Sequence, residues 1–79
     1  MSTIDRIKSV CTELLKVEAS RVQENSRFVE DLGADSMQSI ELVAAFEEEF
    51  DIEMDEDAAL GVKTVIDAVV FIDRVIAEG

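Results

Sequence analysis

Seventy-nine residues suffice for one domain around a single apolar core, with little room for an enclosed active site beside it. There is no histidine, so imidazole chemistry is excluded, and the one cysteine cannot form an internal disulfide. A net charge of −12 argues against nucleic acid and anionic membrane as partners and favours basic protein surfaces.

The charge is unevenly placed. From Glu30 to Asp57 there are twelve acids and no base, while the rest of the chain holds seven of each. A block of this kind suggests a surface that meets a partner, against the plainer reading of solubility alone. The opening "MSTIDRIKSV" carries charges where a signal peptide needs an apolar stretch. The runs Leu42 to Phe46 and Ala68 to Ile72 are too short to cross a bilayer. The expectation is a single domain over 1–79, monomeric and cytoplasmic, without membrane attachment.

The first helix shows in Ile4, Ile7, Cys11 and Leu14, with Val10 and Leu15 widening the stripe and Ser2 or Thr3 as N-cap. Cys11 lies on that stripe, which predicts a buried, inert thiol. Residues 17–35 form a long polar connection, anchored by Val22, Phe28, Val29 and Leu32. Met37 to Phe50 is the best helix in the chain. A short acidic turn from Asp55 to Leu60 reads as a further helix stopped by Gly61. The last helix has Val65, Val69, Ile72 and Ile76 on one face, led by Thr64 with Asp67 three residues on, a capping-box start. No useful length alternates with period two. The predicted fold is all-α: a small four-helix bundle with a long first loop and a short third helix.

The middle helix has two apolar faces. At about 100° per residue, Leu42, Val43, Phe46 and Phe50 form a core stripe with Ser39 as a small filler. Met37, Ile40 and Ala44 centre roughly 140° away from it. Glu41, Glu47, Glu48 and Asp51 flank this second set, which a small bundle has no second core to receive. At the helix start, Asp35 can be the N-cap with Gln38 reaching back, leaving Ser36 as first helical residue with a free hydroxyl. Alternatively Ser36 is itself the cap. Both assignments are open on the residues alone. A helix N-terminus favours an attached anion, so the site suits a serine that receives a phosphate ester.

The stretch "FVEDLGADSMQSIELVAAFEEEFDIEM", from Phe28 to Met54, resembles the acyl carrier proteins, in particular the stand-alone bacterial type of fatty-acid synthesis. The similarity runs more weakly through "STIDRIKSV" and "KTVIDAVVFI". It implies that Ser36 carries 4′-phosphopantetheine, transferred from coenzyme A by a phosphopantetheinyl transferase, with Asp35 capping the helix and assisting the magnesium-dependent transfer. Acyl groups would ride as thioesters on that arm. The chain would be a phosphoprotein of lipid metabolism and not itself an enzyme. Partners implied are acyl synthases, reductases, dehydratases and acyltransferases with basic patches, docking on Met37, Ile40, Glu41, Ala44, Glu47 and Glu48. An acyl cavity is expected among Leu42, Phe46, Met54, Ala59, Leu60, Val62 and Ala68.

Some residues depart from the family pattern: Met37, Gln38, Ala44 and Phe46 stand where leucine, aspartate, methionine and leucine are common, and Met54-Asp55 replaces an isoleucine-proline pair. Gly61 stands where many relatives have a charged residue. These leave open a dedicated carrier of polyketide, peptidyl or D-alanyl type, although peptidyl carriers more often read Gly-Gly-His/Asp-Ser. From another class, an acidic protein-binding or divalent-cation-binding module fits the charge. The acids after Asp55 do not fit a calcium loop, because Ala59 and Leu60 stand where an acid or amide and a glycine are needed. No dedicated metal site is expected. Weak divalent binding at Glu30, Asp35, Glu47, Asp51 and Glu53 is the remaining metal expectation.

Overall fold

The computed structural model describes residues 2–78 except for the Glu56 side chain, so the two ends of the expected 1–79 domain lie outside the described residues. Four helices follow one another: α1 (Thr3–Leu15), α2 (Ser36–Phe50), α3 (Glu56–Gly61) and α4 (Val65–Glu78), with one 3₁₀ turn at Ala19–Arg21. No strand occurs among the described residues. A lone antiparallel bridge joins Arg27 to Thr64. The fold is the small all-α bundle that the periodicity predicts.

Each long helix starts on a side chain that occupies an orphan amide. Ser2 accepts from the Asp5 N–H at 3.3 Å, and the Thr64 hydroxyl accepts from Asp67 N–H at 3.2 Å while the Asp67 carboxylate accepts from Thr64 N–H at 3.2 Å. α1 packs against both α2 and α4. Ile7, Cys11 and Leu15 meet Leu42, Phe46 and Phe50 of α2 and Val65, Ala68 and Ile72 of α4 in one core. The Phe28 and Phe46 rings lie 6.1 Å apart and tilted by 55°, a favourable edge-inclined arrangement. Burial pushes the Cys11 thiol up to about 12, so at neutral pH it is a packed, un-ionised side chain.

The connection between α1 and α2 is ordered by hydrogen bonds to distant backbone. Val65 N–H donates to Ser26 O at 2.9 Å, Ile66 N–H to Glu24 O at 2.8 Å, and Phe28 N–H to Lys63 O at 3.1 Å. Val22, Phe28 and Leu32 anchor it in the core as expected. Val29 does not: it is 56% exposed, because the turn Arg27–Gly33 points its neighbours Phe28 and Leu32 inward instead. Ile76 likewise lies outside the core, half-exposed near the end of α4, beyond the buried Val65, Ala68 and Ile72. Gly61 is the last residue of α3 and adopts no left-handed conformation, so it does not act as the expected stop. Val62, in extended conformation, ends the helix with its N–H on Ala59 O.

Candidate functional site

Asp35 caps α2 and Ser36 is its first residue. The Asp35 carboxylate accepts from Gln38 N–H at 2.7 Å, and the Gln38 side-chain oxygen accepts from Asp35 N–H at 3.2 Å, a complete capping box. That arrangement decides between the two assignments open in the sequence. Ser36 is not needed as a cap. Its side chain is exposed and enters no hydrogen bond among the described residues, whereas the Ser39 hydroxyl donates back to Asp35 O at 2.9 Å.

The backbone upstream explains why α2 begins where it does. Gly33 has φ of 77°, a conformation that a side chain disfavours, and its N–H donates to Val29 O at 3.1 Å. Ala34 is buried and donates to Phe28 O at 2.9 Å. Arg27 braces the same turn. Its N–H and guanidinium both reach the Asp31 carboxylate, at 2.8 and 3.2 Å, and it pairs with Glu30 at 2.9 Å. The Arg27 N–H and then its guanidinium hold the Asp31 carboxyl below the ordinary aspartate range. Sequence reasoning missed Ser26, which is buried, accepts from Gln23 N–H and donates to Arg21 O. No local pattern marks it; only the Arg27–Asp31 spacing of four hints that this loop is ordered.

Past Ser36 the exposed side of α2 carries Met37, Ile40, Glu41, Ala44 and Glu48, with Met37 65% and Ile40 67% exposed. Among the described residues Glu41 and Glu48 enter no ion pair, unlike Glu49, whose carboxylate meets Arg6 at 2.8 Å. Glu47 is different. It is half-buried, and its carboxylate accepts from Met54 N–H at 3.1 Å. Of the residues expected around an acyl chain, Leu42, Phe46, Met54 and Ala68 lie in the core, and Ala59 and Val62 pack at its edge. Leu60 does not join them. It is 73% exposed, because the short α3 turns Ala59 inward and Leu60 out. An open groove of about 570 Å³ lies between α1 and α2 over Val10, Leu14 and Ala45, apart from these residues.

Among the described residues no three His, Cys, Asp or Glu side chains are placed to hold a metal. Glu30, Asp35, Glu47, Asp51 and Glu53 form no such group, and the weak divalent binding expected of them is a matter for titration. Three of them already serve an arginine or a backbone amide. No helix among the described residues is long and apolar enough to cross a membrane.

An exposed serine hydroxyl at the first position of a helix fits a phosphate ester. The amides of the first two helical positions have no intrahelical acceptor, and the helix dipole favours an anion there. A family described as "Phosphopantetheine attachment site" matches residues 5–72, most of the chain. Its members carry 4′-phosphopantetheine covalently on a serine, act as carriers rather than catalysts, and work with a transferase and acyl-processing enzymes. The chain belongs to this phosphopantetheine-attachment family of carrier proteins.

Proposed function

We propose that Ser36 is the serine that bears the arm, and that the chain carries acyl thioesters in the manner of the bacterial fatty-acid-synthesis carriers. The observation that carries this reading is the exposed, unengaged Ser36 hydroxyl beside a cap that Asp35 and Gln38 complete without it. When bound, 4′-phosphopantetheine supplies a terminal thiol on which acyl groups are held. The chain's own contribution is to hold the serine clear of the bundle, with the Asp35 carboxylate one residue away to assist the magnesium-dependent transfer.

Docking falls to Met37, Ile40 and Ala44 with the carboxylates of Glu41 and Glu48, a shallow apolar strip edged by unpaired negative charge. Such a strip suits an enzyme surface with basic residues around an apolar contact. Acyl shelter falls to Leu42, Phe46, Met54 and Ala68, with Ala59 and Val62 at the border. These residues form one domain.

A second reading, a carrier dedicated to a specialised pathway, is favoured by Phe46. Its ring is 2% exposed and packed on Phe28, filling interior space that an aliphatic side chain would leave to cargo. The test is loading from octanoyl-coenzyme A by a phosphopantetheinyl transferase. Hydroxylamine should then release octanoyl hydroxamate from the wild type, and a Ser36→Ala protein should release none. Hydroxamate from the Ser36→Ala protein would sink the assignment. Comparing octanoyl with bulkier or aminoacyl arms separates the two readings.

A further inference from the structure

Resting on the reading that acyl chains shelter in the bundle, we propose that Glu47 is a positioning residue whose carboxylate latches Met54 across the way into the core. Glu47 holds most of the loop that follows α2. Its carbonyl accepts from the N–H of Asp51 and from that of Ile52 at 3.1 Å, and its Oε2 accepts from Met54 N–H at 3.1 Å. Residues 52–54 make no other hydrogen bond among the described residues. The Met54 side chain is buried in the same core as Phe46 and Phe50.

Beyond Glu47 and the packing of Met54 and Ile52, little fastens this corner. α3, which starts directly after Met54 on the Asp55 cap, is not among the closely packed helix pairs, which are α1 with α2 and α1 with α4. Among the described residues the chain between α2 and α3 is therefore hydrogen-bonded to α2 through Glu47 alone, by its carbonyl and its carboxylate, while Met54 and Ile52 hold it by packing on the core. Met54 is unbranched and flexible, the kind of side chain that can move aside and refill a gap. A guest that enters past Met54 has to displace it, so on this proposal the strength of the Glu47 hydrogen bond sets how readily the interior opens. Glu48, one residue on, makes no such bond and is the free charge. The two neighbours thus divide the work.

The substitutions Glu47→Ala and Glu47→Gln separate bond from charge, since glutamine keeps an acceptor oxygen and loses only the charge. Two readouts apply: hydrogen exchange at the Met54 amide in the apo protein, and the hydroxylamine cleavage rates of octanoyl and acetyl thioesters on the arm. In Glu47→Ala, Met54 exchange should quicken by about tenfold or more relative to the Cys11 amide, the loss expected for one charge-assisted bond. Octanoyl cleavage should slow by about threefold or more as the chain enters past a loosened Met54, with acetyl cleavage unchanged. Glu47→Gln, which keeps a weaker neutral bond, should fall between the wild type and Glu47→Ala in both.

Wild-type exchange at Met54 in Glu47→Ala overturns the latch, whatever becomes of the carrier reading. Faster exchange with unchanged octanoyl cleavage means that the chain enters elsewhere, and overturns the proposal too. If Glu47→Gln behaves like Glu47→Ala, charge and not the hydrogen bond is responsible, and the latch is again wrong. Absence of an arm on Ser36 contradicts the proposed function instead, and leaves the exchange test intact.

Discussion

The Arg6 guanidinium lies 4.3 Å from the centre of the Phe50 ring, at the point where α2 ends. The same group donates to the Glu49 carboxylate, at 2.8 and 3.1 Å, and to the Glu49 carbonyl. One arginine of α1 thus covers an aromatic ring, pairs a carboxylate and satisfies a backbone carbonyl near the C-terminus of α2. Because both charged side chains are more than a third exposed, the ion pair itself is worth little, and the stacking and carbonyl bond carry most of the effect. Arg6→Ala should therefore cost about 1 kcal/mol, lowering Tm by roughly 4–8 °C. Arg6→Lys should recover only part of the loss, because lysine lacks the planar fork. Thermal melts of the three proteins check this; equal Tm values would remove Arg6 from the account of stability.

Two helices end on non-glycine residues in left-handed conformation: Lys16 with φ of 59° after α1, and Asp51 with φ of 54° after α2. Lysine is poorly suited to this region, while aspartate tolerates it better. Lys16→Gly should raise Tm by a few degrees, on the order of 0.5–1 kcal/mol, and Asp51→Gly should gain less. A fall in Tm for Lys16→Gly would show that the flexibility gained by the unfolded chain outweighs the relief of strain.

Acid pH offers a separate handle on α4. The Lys63 N–H, followed by the hydroxyl and N–H of Thr64, holds the Asp67 carboxyl below the ordinary aspartate range. A carboxyl depressed in the folded state adds stability that is complete above the unfolded value of about 3.9 and fades as pH falls through the lower folded value. Asp67→Ala should thus melt lower than the wild type at neutral pH, and the gap should close below about pH 4. The difference between the two curves matters more than either alone, since protonating the twelve-acid block also relieves repulsion in both proteins. A gap constant down to pH 2 would contradict the hydrogen-bonded role.

On the exposed side of α2, Glu41→Lys and Glu48→Lys should slow arm transfer at low salt by about tenfold, converging with the wild type as salt rises. The fold should be undisturbed, because neither carboxylate holds a partner among the described residues. Glu18→Lys, far from this strip in sequence, serves as the control. Rates that match across all four proteins would remove electrostatic docking from the proposal.

What the residues disclose in advance, and what they withhold, follows from the range of the interactions. The helices and the buried Cys11 are legible because periodicity is local, whereas the residues alone leave Asp35 and Ser36 both open as the cap of α2, and the folded capping box selects Asp35. The loop is legible only in part. Val29 and Leu32 look equally apolar in sequence, and which one is buried depends on a turn that Arg27, Asp31 and Gly33 set together. Leu60 is misread for a similar reason: six residues of α3 give too short a period to say which face is inward. Glu47 and Glu48 are alike on paper. Their difference arises from the Met54 amide seven residues after Glu47, a return of the chain that no pattern in α2 announces.

The most direct measurement is the intact mass of the protein after incubation with coenzyme A, magnesium and a phosphopantetheinyl transferase, followed by fragmentation to locate any gain. The wild type should gain the mass of a single phosphopantetheine, carried by the fragment that contains Ser36, and Ser36→Ala should gain nothing. A wild type that stays unmodified, or a Ser36→Ala protein that is modified all the same, would contradict the assignment of that serine.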